Sequence, residues 1–343
     1  MRSGYREPLT LPGEERVGEL CRKFGSTRVV VLGDVILDVY LWGNVQRISP
    51  EAPVPVCRIR EETVMLGGAA NAAVNIAALG GEAVLVGVVG DDESGDELRG
   101  KLEEAGLSVD TLICDGGRPT TRKTRVFADT QQVVRVDREE SEDVKGEVAE
   151  RIIGVLEGAL RSSAAIILQD YNKGTLSPGV IRDAVSMARE RGLVISVDPK
   201  FRNFFEYRGV TLFKPNLREM EHAFGSFQPG SPGLEGLMKS LKVRTESKNI
   251  LLTRGEDGMI LLDEDGAFTR VPAISHEVYD VSGAGDTVIS TATLAMAAGG
   301  TAREGAILAN YAASVEVQRR GVRTVTREEI MEAMRRHRGP IET

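Results

Sequence analysis

The chain has 343 residues, of which 41% are hydrophobic and 27% charged, and a net charge of −8 at pH 7. That is the balance of a folded protein with a sizeable core, which excludes disordered, collagen-like and coiled-coil classes. The acidic balance argues against nucleic-acid or anionic-membrane partners, no apolar stretch reaches the roughly 18 residues of a membrane span, and three scattered cysteines with no CxxC make neither a disulfide framework nor a zinc site.

Residues 1–25 read as a charged lead-in with a short helix. They hold no apolar h-region, so no secretory signal is expected and the cytoplasm is the expected compartment. RVVVLGD (28–34) is a β-branched run ending on a polar residue, the pattern of a buried strand whose carboxyl end opens into a site. Asp34 and Asp38 follow it and suit hydrogen bonds to sugar hydroxyls. A turn aspartate plus a solvated one accounts for them equally well. Residues 39–66 hold four strand-like pieces and three prolines, and 118–137 alternate polar and apolar about a turn near Ala128–Gln131. Both read as antiparallel strands with one wet face, forming a small β lid inserted in a larger domain.

Between the two lid pieces lies LGGAANAAVNIAALGG (66–81). Gly67 and Gly68 permit close backbone approach, and Asn71 and Asn75 share one helical face. Asn71 is placed to hold a sugar hydroxyl, while a small-residue helix packed tightly on a sheet explains the segment as well. Strands at 83–90, 164–170, 193–198, 210–216 and 249–255 alternate with helices at 93–106, 177–192 and from Leu217. That alternation predicts an α/β fold, a mostly parallel doubly wound sheet with helices on both faces, over residues 26–38, 67–117 and 138–338. The stretch from Ala284 to Arg336 reads as mostly helical.

Three motifs in the second half carry chemistry. NLRE (216–219) places Asn216 as an N-cap and Glu219 three residues on, a capping box that stands by itself or organises Mg²⁺ and phosphates through water. TRGEDG (253–258) offers the Thr253 hydroxyl and a tight path through Gly255 and Gly258, which alone is a common turn. DVSGAGDT (280–287) is the sharpest signal. Gly283, Ala284 and Gly285 leave backbone N–H groups bare at the start of a long helix, a ready anion site. Asp286, in the first turn, can act as the base for a hydroxyl attacking a phosphoryl group. A plain helix cap would not need three small residues before it. Lys123, Arg125 and Arg135 in the lid, with Lys173 in QDYNKG, are either a solvated face or a holder for a phosphorylated substrate. There is no GxxxxGK[ST] P-loop, and no GxGxxG follows the first strand.

Together these motifs resemble the ribokinase-type (PfkB) carbohydrate kinases. The glycine-rich Asn segment at 67–81 resembles the first family signature and DVSGAGD at 280–286 the second, with Asp34, NLRE and TRGEDG in matching order. GDVILDVYLWGNVQRISPEAPVPV (33–56), the lid strands and LQDYNKGTLSP (168–178) are similar to the branch that phosphorylates a heptose 7-phosphate for ADP-heptose synthesis. The resemblance implies a ribokinase-like three-layer α/β/α fold and transfer from ATP to O1 of D-glycero-β-D-manno-heptose 7-phosphate. It implies Asp286 as base, Gly283–Gly285 as anion hole, and Asn216 and Glu219 around Mg²⁺ and phosphates. Thr253, Gly255, Gly258 and Asn310 would line the nucleotide site. Asp280 and Ser282 match positions that hold a monovalent cation such as K⁺ in many relatives. Asp34, Asp38, Gly67, Gly68 and Asn71 would hold the sugar, with Lys123, Arg125, Gln132 and Lys173 toward its far end and phosphate.

Many relatives in that branch carry a fused nucleotidyltransferase domain, whose HxGH-type motif is not found after Arg336, so phosphorylation alone is expected. Apolar lid residues Val54, Val56, Val133 and Val134 on exposed edge strands predict a homodimer through the lid. Two other readings stand beside this one. One is a kinase for ribose, fructose or a keto-deoxy sugar acid. The other is a non-catalytic sugar- or nucleotide-binding regulator, against which the intact GAGD and NLRE argue.

Overall fold

Val29, Val30, Val31 and Leu32 are all fully buried, and their alternation defines the layers. Val29 and Val31 point into one hydrophobic core, Val30 and Leu32 into another on the opposite face of the same sheet. A strand buried on both faces is a continuous apolar run, as this one is. The computed structural model describes residues 12–225, 233–274, 282–319 and 323–337.

Helix α1 (Glu14–Phe24) and strand β1 (Arg28–Gly33) open the described chain, followed by two long strands, β2 (Val35–Ile48) and β3 (Pro55–Gly68). Next come α2 (Ala69–Ala78), β4 (Glu82–Val89), α3 (Glu93–Glu104), β5 (Leu112–Cys114), β6 (Arg122–Ala128) and β7 (Gln131–Arg138). The middle runs through α4 (Gly146–Leu160), β8 (Ala165–Gln169), α5 (Pro178–Glu190), β9 (Val194–Asp198) and β10 (Leu212–Phe213). It continues with α6 (Leu217–Phe224), α7 (Leu234–Thr245), β11 (Asn249–Thr253), β12 (Met259–Leu262) and β13 (Phe268–Val271). Helices α8 (Ala284–Ala297), α9 (Ala302–Glu316) and α10 (Arg327–Arg336) complete it.

The large sheet has the order β13-β12-β11-β10-β9-β8-β1-β4-β5. Its strands are parallel except where β12 and β13 run antiparallel at one edge. Helices α1, α2, α8, α9 and α10 contribute to the first core, α4 to α7 to the second. This is the expected α/β architecture with its lid. Details of the body differ from expectation, among them α4 and β5, which went unpredicted. The strand foreseen over 210–216 is reduced to Leu212–Phe213, because the chain turns at Pro215 into the cap of α6. The β12–β13 hairpin went unpredicted.

The lid is a second sheet, ordered β3-β2-β6-β7. Instead of four short pieces, residues 35–68 form two long antiparallel strands, because Pro50 and Pro53 fall in the connection between them. The β2–β6 pair is parallel, not antiparallel. Both strands leave the same end of a parallel sheet, β2 after β1 and β6 after β5, and so run outward in the same direction. Asp38 pairs with Lys123, Tyr40 with Arg125 and Trp42 with Phe127. Alternation puts these six side chains on one lid face, where the Tyr40, Trp42 and Phe127 rings stack, Trp42 and Phe127 at 4.5 Å.

Candidate active site

Helix α8 begins at Gly283, whose φ of 89° lies in the left-handed region and which offers no side-chain cap. A residue with a Cβ would be strained there. The first turn therefore presents bare backbone amides at the positive end of a helix. Ala284 and Gly285 line a largely apolar cavity of about 240 Å³ with Thr253, Gly255, Gly258 and Asn310. The structure thus brings Thr253, Gly255, Gly258 and Asn310 to one cavity, which Asn216 and Glu219 do not line. Asn310 donates to the Pro272 carbonyl at 2.8 Å and braces that wall. Gly258, at φ 74°, lets the chain pass so close to Val271 that an added Cβ would lie 2.2 Å from its carbonyl oxygen.

Asp286 is buried in the next position of α8. Its Oδ2 accepts from Asn71 Nδ2 at 2.7 Å, and its Oδ1 from Gln169 Nε2 at 2.8 Å and the Tyr171 hydroxyl at 2.7 Å. Burial pushes its carboxyl up to about 6; hydrogen bonds from Asn71 and Tyr171 and the charge of Lys214 oppose this, while nearby Asp198 adds to it. A buried carboxylate with that affinity for protons is suited to general-base work near neutrality.

Four groups at this centre went unpredicted: Gln169, Tyr171, Asp198 and Lys214. Gln169 also donates to Asp198 Oδ2 at 3.0 Å, and Asp198 Oδ1 pairs with the buried Lys214 ammonium at 2.9 Å. A Cβ built on Gly285 would lie 3.6 Å from Lys214 Nζ, so this cation lies beside the bare first turn of α8. Gln169 and Asp198 end strands β8 and β9, at the carboxyl edge where parallel sheets place their sites. A polar residue closing an apolar strand was the available signal.

Several expected sugar ligands turn out to have other work. Asp34 is not open to a sugar: its carboxylate accepts from the backbone N–H groups of Tyr171, Lys173 and Thr175 at 2.8–3.0 Å, folding that loop around itself. Asn71 holds Asp286 and accepts from Asn75 at 3.2 Å, and Asn75 in turn accepts from Thr287. Gly67 makes room, since a Cβ there would lie 2.1 Å from Asp38 Oδ2. Gly68, at φ 60°, lets the chain pass close to Asp34, whose carbonyl oxygen would lie 2.3 Å from its Cβ. Gln132 is exposed near the outer turn of the lid, opposite Phe127 and well along β6 from Lys123. Asp38, Lys123, Arg125 and Lys173 remain near the centre. Arg125 pairs with Asp38 at 2.6 Å, and Lys173 with Glu139 at 2.7 Å. Lys123 lies over the Tyr171 ring at 5.5 Å, and burial lowers its pKa, with Lys173 adding to the effect.

Glu219, expected to organise Mg²⁺ through water, has a partner on each carboxylate oxygen. One oxygen accepts from the Asn216 backbone at 2.8 Å in a complete capping box and the other pairs with Lys200. No group of three or more metal-ligating side chains converges among the described residues. Burial acts to lower the Lys200 pKa, but Asp198 and Glu219 outweigh it and hold the ammonium above its ordinary value. Ser282 opens the described segment before α8; Asp280 lies outside the described residues. No helix among the described residues is long and apolar enough to cross a membrane.

The chain matches the pfkB family carbohydrate kinase over residues 26–329. It is 43% identical over 319 residues to the bifunctional protein HldE of Caulobacter sp. (strain K31), covering 93% of this chain and 65% of that protein. It is 41% identical over 306 residues to the HldE of Citrifermentans bemidjiense, covering 89% and 63%. The chain thus spans a little under two thirds of these relatives' length. The fold is similar to Arabidopsis thaliana ribokinase solved with ribose and ATP (TM-score 0.70, 19% identity, 90% of this chain and 98% of that one). It is also similar to Escherichia coli phosphofructokinase-2 solved with potassium (TM-score 0.75, 15% identity, 90% and 98%). This chain belongs to the pfkB family of carbohydrate kinases, enzymes that transfer a phosphoryl group from ATP to a sugar.

Proposed function

We propose that the chain transfers the γ-phosphoryl group of ATP to O1 of D-glycero-β-D-manno-heptose 7-phosphate, giving the 1,7-bisphosphate and ADP. The observation that carries this reading is the position of Asp286. It is a buried carboxylate at the start of α8, next to the cavity that Ala284 and Gly285 line, and it reaches the lid cation Lys123 through Tyr171. The heptose assignment rests on the lid phrase ISPEAPVPV and the identity to the HldE proteins.

The nucleotide base lies in the cavity between Thr253, Gly258 and Asn310. Its terminal phosphates lie at the bare turn of α8, where the amides and Lys214 balance charge that spreads over the transferring group. Asp286 takes the O1 proton as O1 bonds to the γ-phosphorus. The bond to the bridging oxygen breaks, and its electron pair leaves with ADP. Asp38, held by Arg125, accepts from ring hydroxyls, and Lys123 and Lys173 face the 7-phosphate. Asn71 and Gln169 keep the carboxylate aimed. Two copies pair through the lid, and the enzyme works in the cytoplasm.

ADP release with Mg-ATP against a panel tests this: the heptose 7-phosphate, sedoheptulose 7-phosphate, fructose 6-phosphate, ribose and fructose. Strong turnover on the heptose phosphate alone is expected. Preference for another sugar would discard the substrate but keep the kinase. Binding without turnover on any sugar would favour a regulator.

A further inference from the structure

We propose that Tyr171 gates the base: in the sugar-free protein its phenol holds the acceptor position on Asp286 Oδ1, keeps water from it, and gives way to the substrate hydroxyl. This rests on the reading of Asp286 as the base. A carboxylate oxygen accepts about two hydrogen bonds in good geometry. Oδ1 already has two, from Gln169 and Tyr171. A substrate hydroxyl must reach the base at hydrogen-bond distance to give up its proton, so at Oδ1 one donor has to leave.

Gln169 is ill suited to leave. It is fully buried at the end of β8, and the same amide nitrogen bridges Asp198 and Asp286. Asn71, on Oδ2, is fixed in α2 by its bonds with Asn75. Tyr171 differs from both. It is partly exposed on the loop after β8, and the next residue, Asn172, has a left-handed φ of 56°. Its ring lies under two cations from different parts of the fold, Lys123 of the lid at 5.5 Å and Lys200 of the body at 5.2 Å. Through Lys123 it is in contact with the lid. A phenol offers the same O–H that a sugar would, so it preserves the geometry of the base without substrate. Leaving the position to water would invite ATP hydrolysis, which kinases must suppress.

The remaining acceptor position on Oδ2 is the competing route for the sugar, and the Tyr171→Phe substitution in the full chain separates the two. The gate predicts that ATP hydrolysis without sugar rises roughly tenfold, the effect of releasing one charge-assisted hydrogen bond. It also predicts that the acid limb of kcat/KM moves up by about one pH unit, because the carboxylate loses a donor. The other charged groups facing Asp286, namely Asp198, Lys214 and Lys200, are unchanged in this variant. Tyr171→Met, which fills the space without a donor, should behave alike and serves if the first variant folds poorly. Unchanged hydrolysis and an unmoved limb in a variant that melts like the wild type would overturn the gate. Asp286→Asn run alongside tells the failures apart. If it retains turnover, the base assignment falls and the gate with it; if it is inactive while Tyr171→Phe matches wild type, the gate alone falls.

Discussion

The amide of Asn71 meets the carboxylate of Asp286 at 2.7 Å, joining two glycine-rich segments 215 positions apart. Asn75 backs Asn71, and Thr287 donates to Asn75 at 2.9 Å, so helices α2 and α8 are tied on both sides of Asp286. Asn71→Ala should lower kcat about tenfold, with a smaller effect on sugar KM, and move the acid limb of the pH profile upward, since one donor to the carboxylate is lost. Steady-state kinetics from pH 5 to 8 check this. A pure rise in KM would return Asn71 to the role of sugar ligand.

As the proposed base, Asp286 would have to be ionised to accept a proton, and its carboxyl is raised to about 6. The kcat/KM of the wild type should therefore rise with pH through about 6. Asp286→Asn should fold normally and lose roughly 10²–10⁴-fold in turnover. Burial also raises Asp170 to about 6, from an ordinary 3.8, with Asp34 adding to the effect. The folded state binds these protons more tightly than the unfolded chain. Their contribution to stability thus grows as pH falls from above 6 toward 4. Melting curves of Asp170→Asn across that window should show a shallower gain on acidification than wild type.

Gly67 leaves no room for a side chain beside Asp38. Gly67→Ala should push the Asp38 carboxylate aside and loosen its pair with Arg125. The expected result is about a tenfold rise in sugar KM, typical of losing a charged hydrogen bond, with the affinity for ATP unchanged. Isothermal titration with each ligand separates the two effects.

Glu219 closes the cap of α6 and pairs with Lys200 while itself buried. Glu219→Ala would leave Lys200 with Asp198 as its remaining carboxylate neighbour and open the cap, costing about 1–2 kcal/mol of stability. Urea unfolding reads this directly. Unchanged stability with lost turnover would instead restore the metal-organising role.

Val134 and Val136 are 46% and 57% exposed on β7, an edge strand of the lid, and pair with Val126 and Thr124. Their side chains point away from the face that carries Asp38 and Lys123. If two lids pair there, the double substitution of Val134 and Val136 by lysine should halve the mass seen by light scattering at micromolar concentration. A monomeric wild type would remove the lid pairing.

Strand β1 was legible because burial on both faces leaves one unbroken apolar run. The lid strands were not. Pro50, Pro53 and Pro55 and the bulges near Gly43 break the alternation that marks a half-buried strand, so two long strands read as four short ones. The β12–β13 hairpin carried a hairpin signal in the Asp265–Gly266 turn between two apolar runs. In the site, Gly283, Ala284 and Gly285 advertised the helix end and drew attention to Asp286. Gln169, Asp198 and Lys214 each look ordinary in their own segment, a single polar residue near an apolar strand. Their meaning arises only where the ends of neighbouring strands converge. Asp34 misled for the same reason: the three amides it binds lie more than 130 positions away in the chain.

Strand β2 runs from the body into the lid with no linker between them, starting directly after Asp34. Its pairing with β3 shifts register only between Trp42 and Gly43 and between Val45 and Arg47, and the β6–β7 pairing shifts between Val126 and Phe127. All three irregularities lie farther out than Asp38, Tyr40, Lys123 and Arg125. The lid is thereby divided into a stiff inner wall, continuous with the body, and a pliant outer flap that bends at the bulges. If Asp38, Lys123 and Arg125 hold the sugar, the stiff wall would fix those contacts while the flap opens and closes over them.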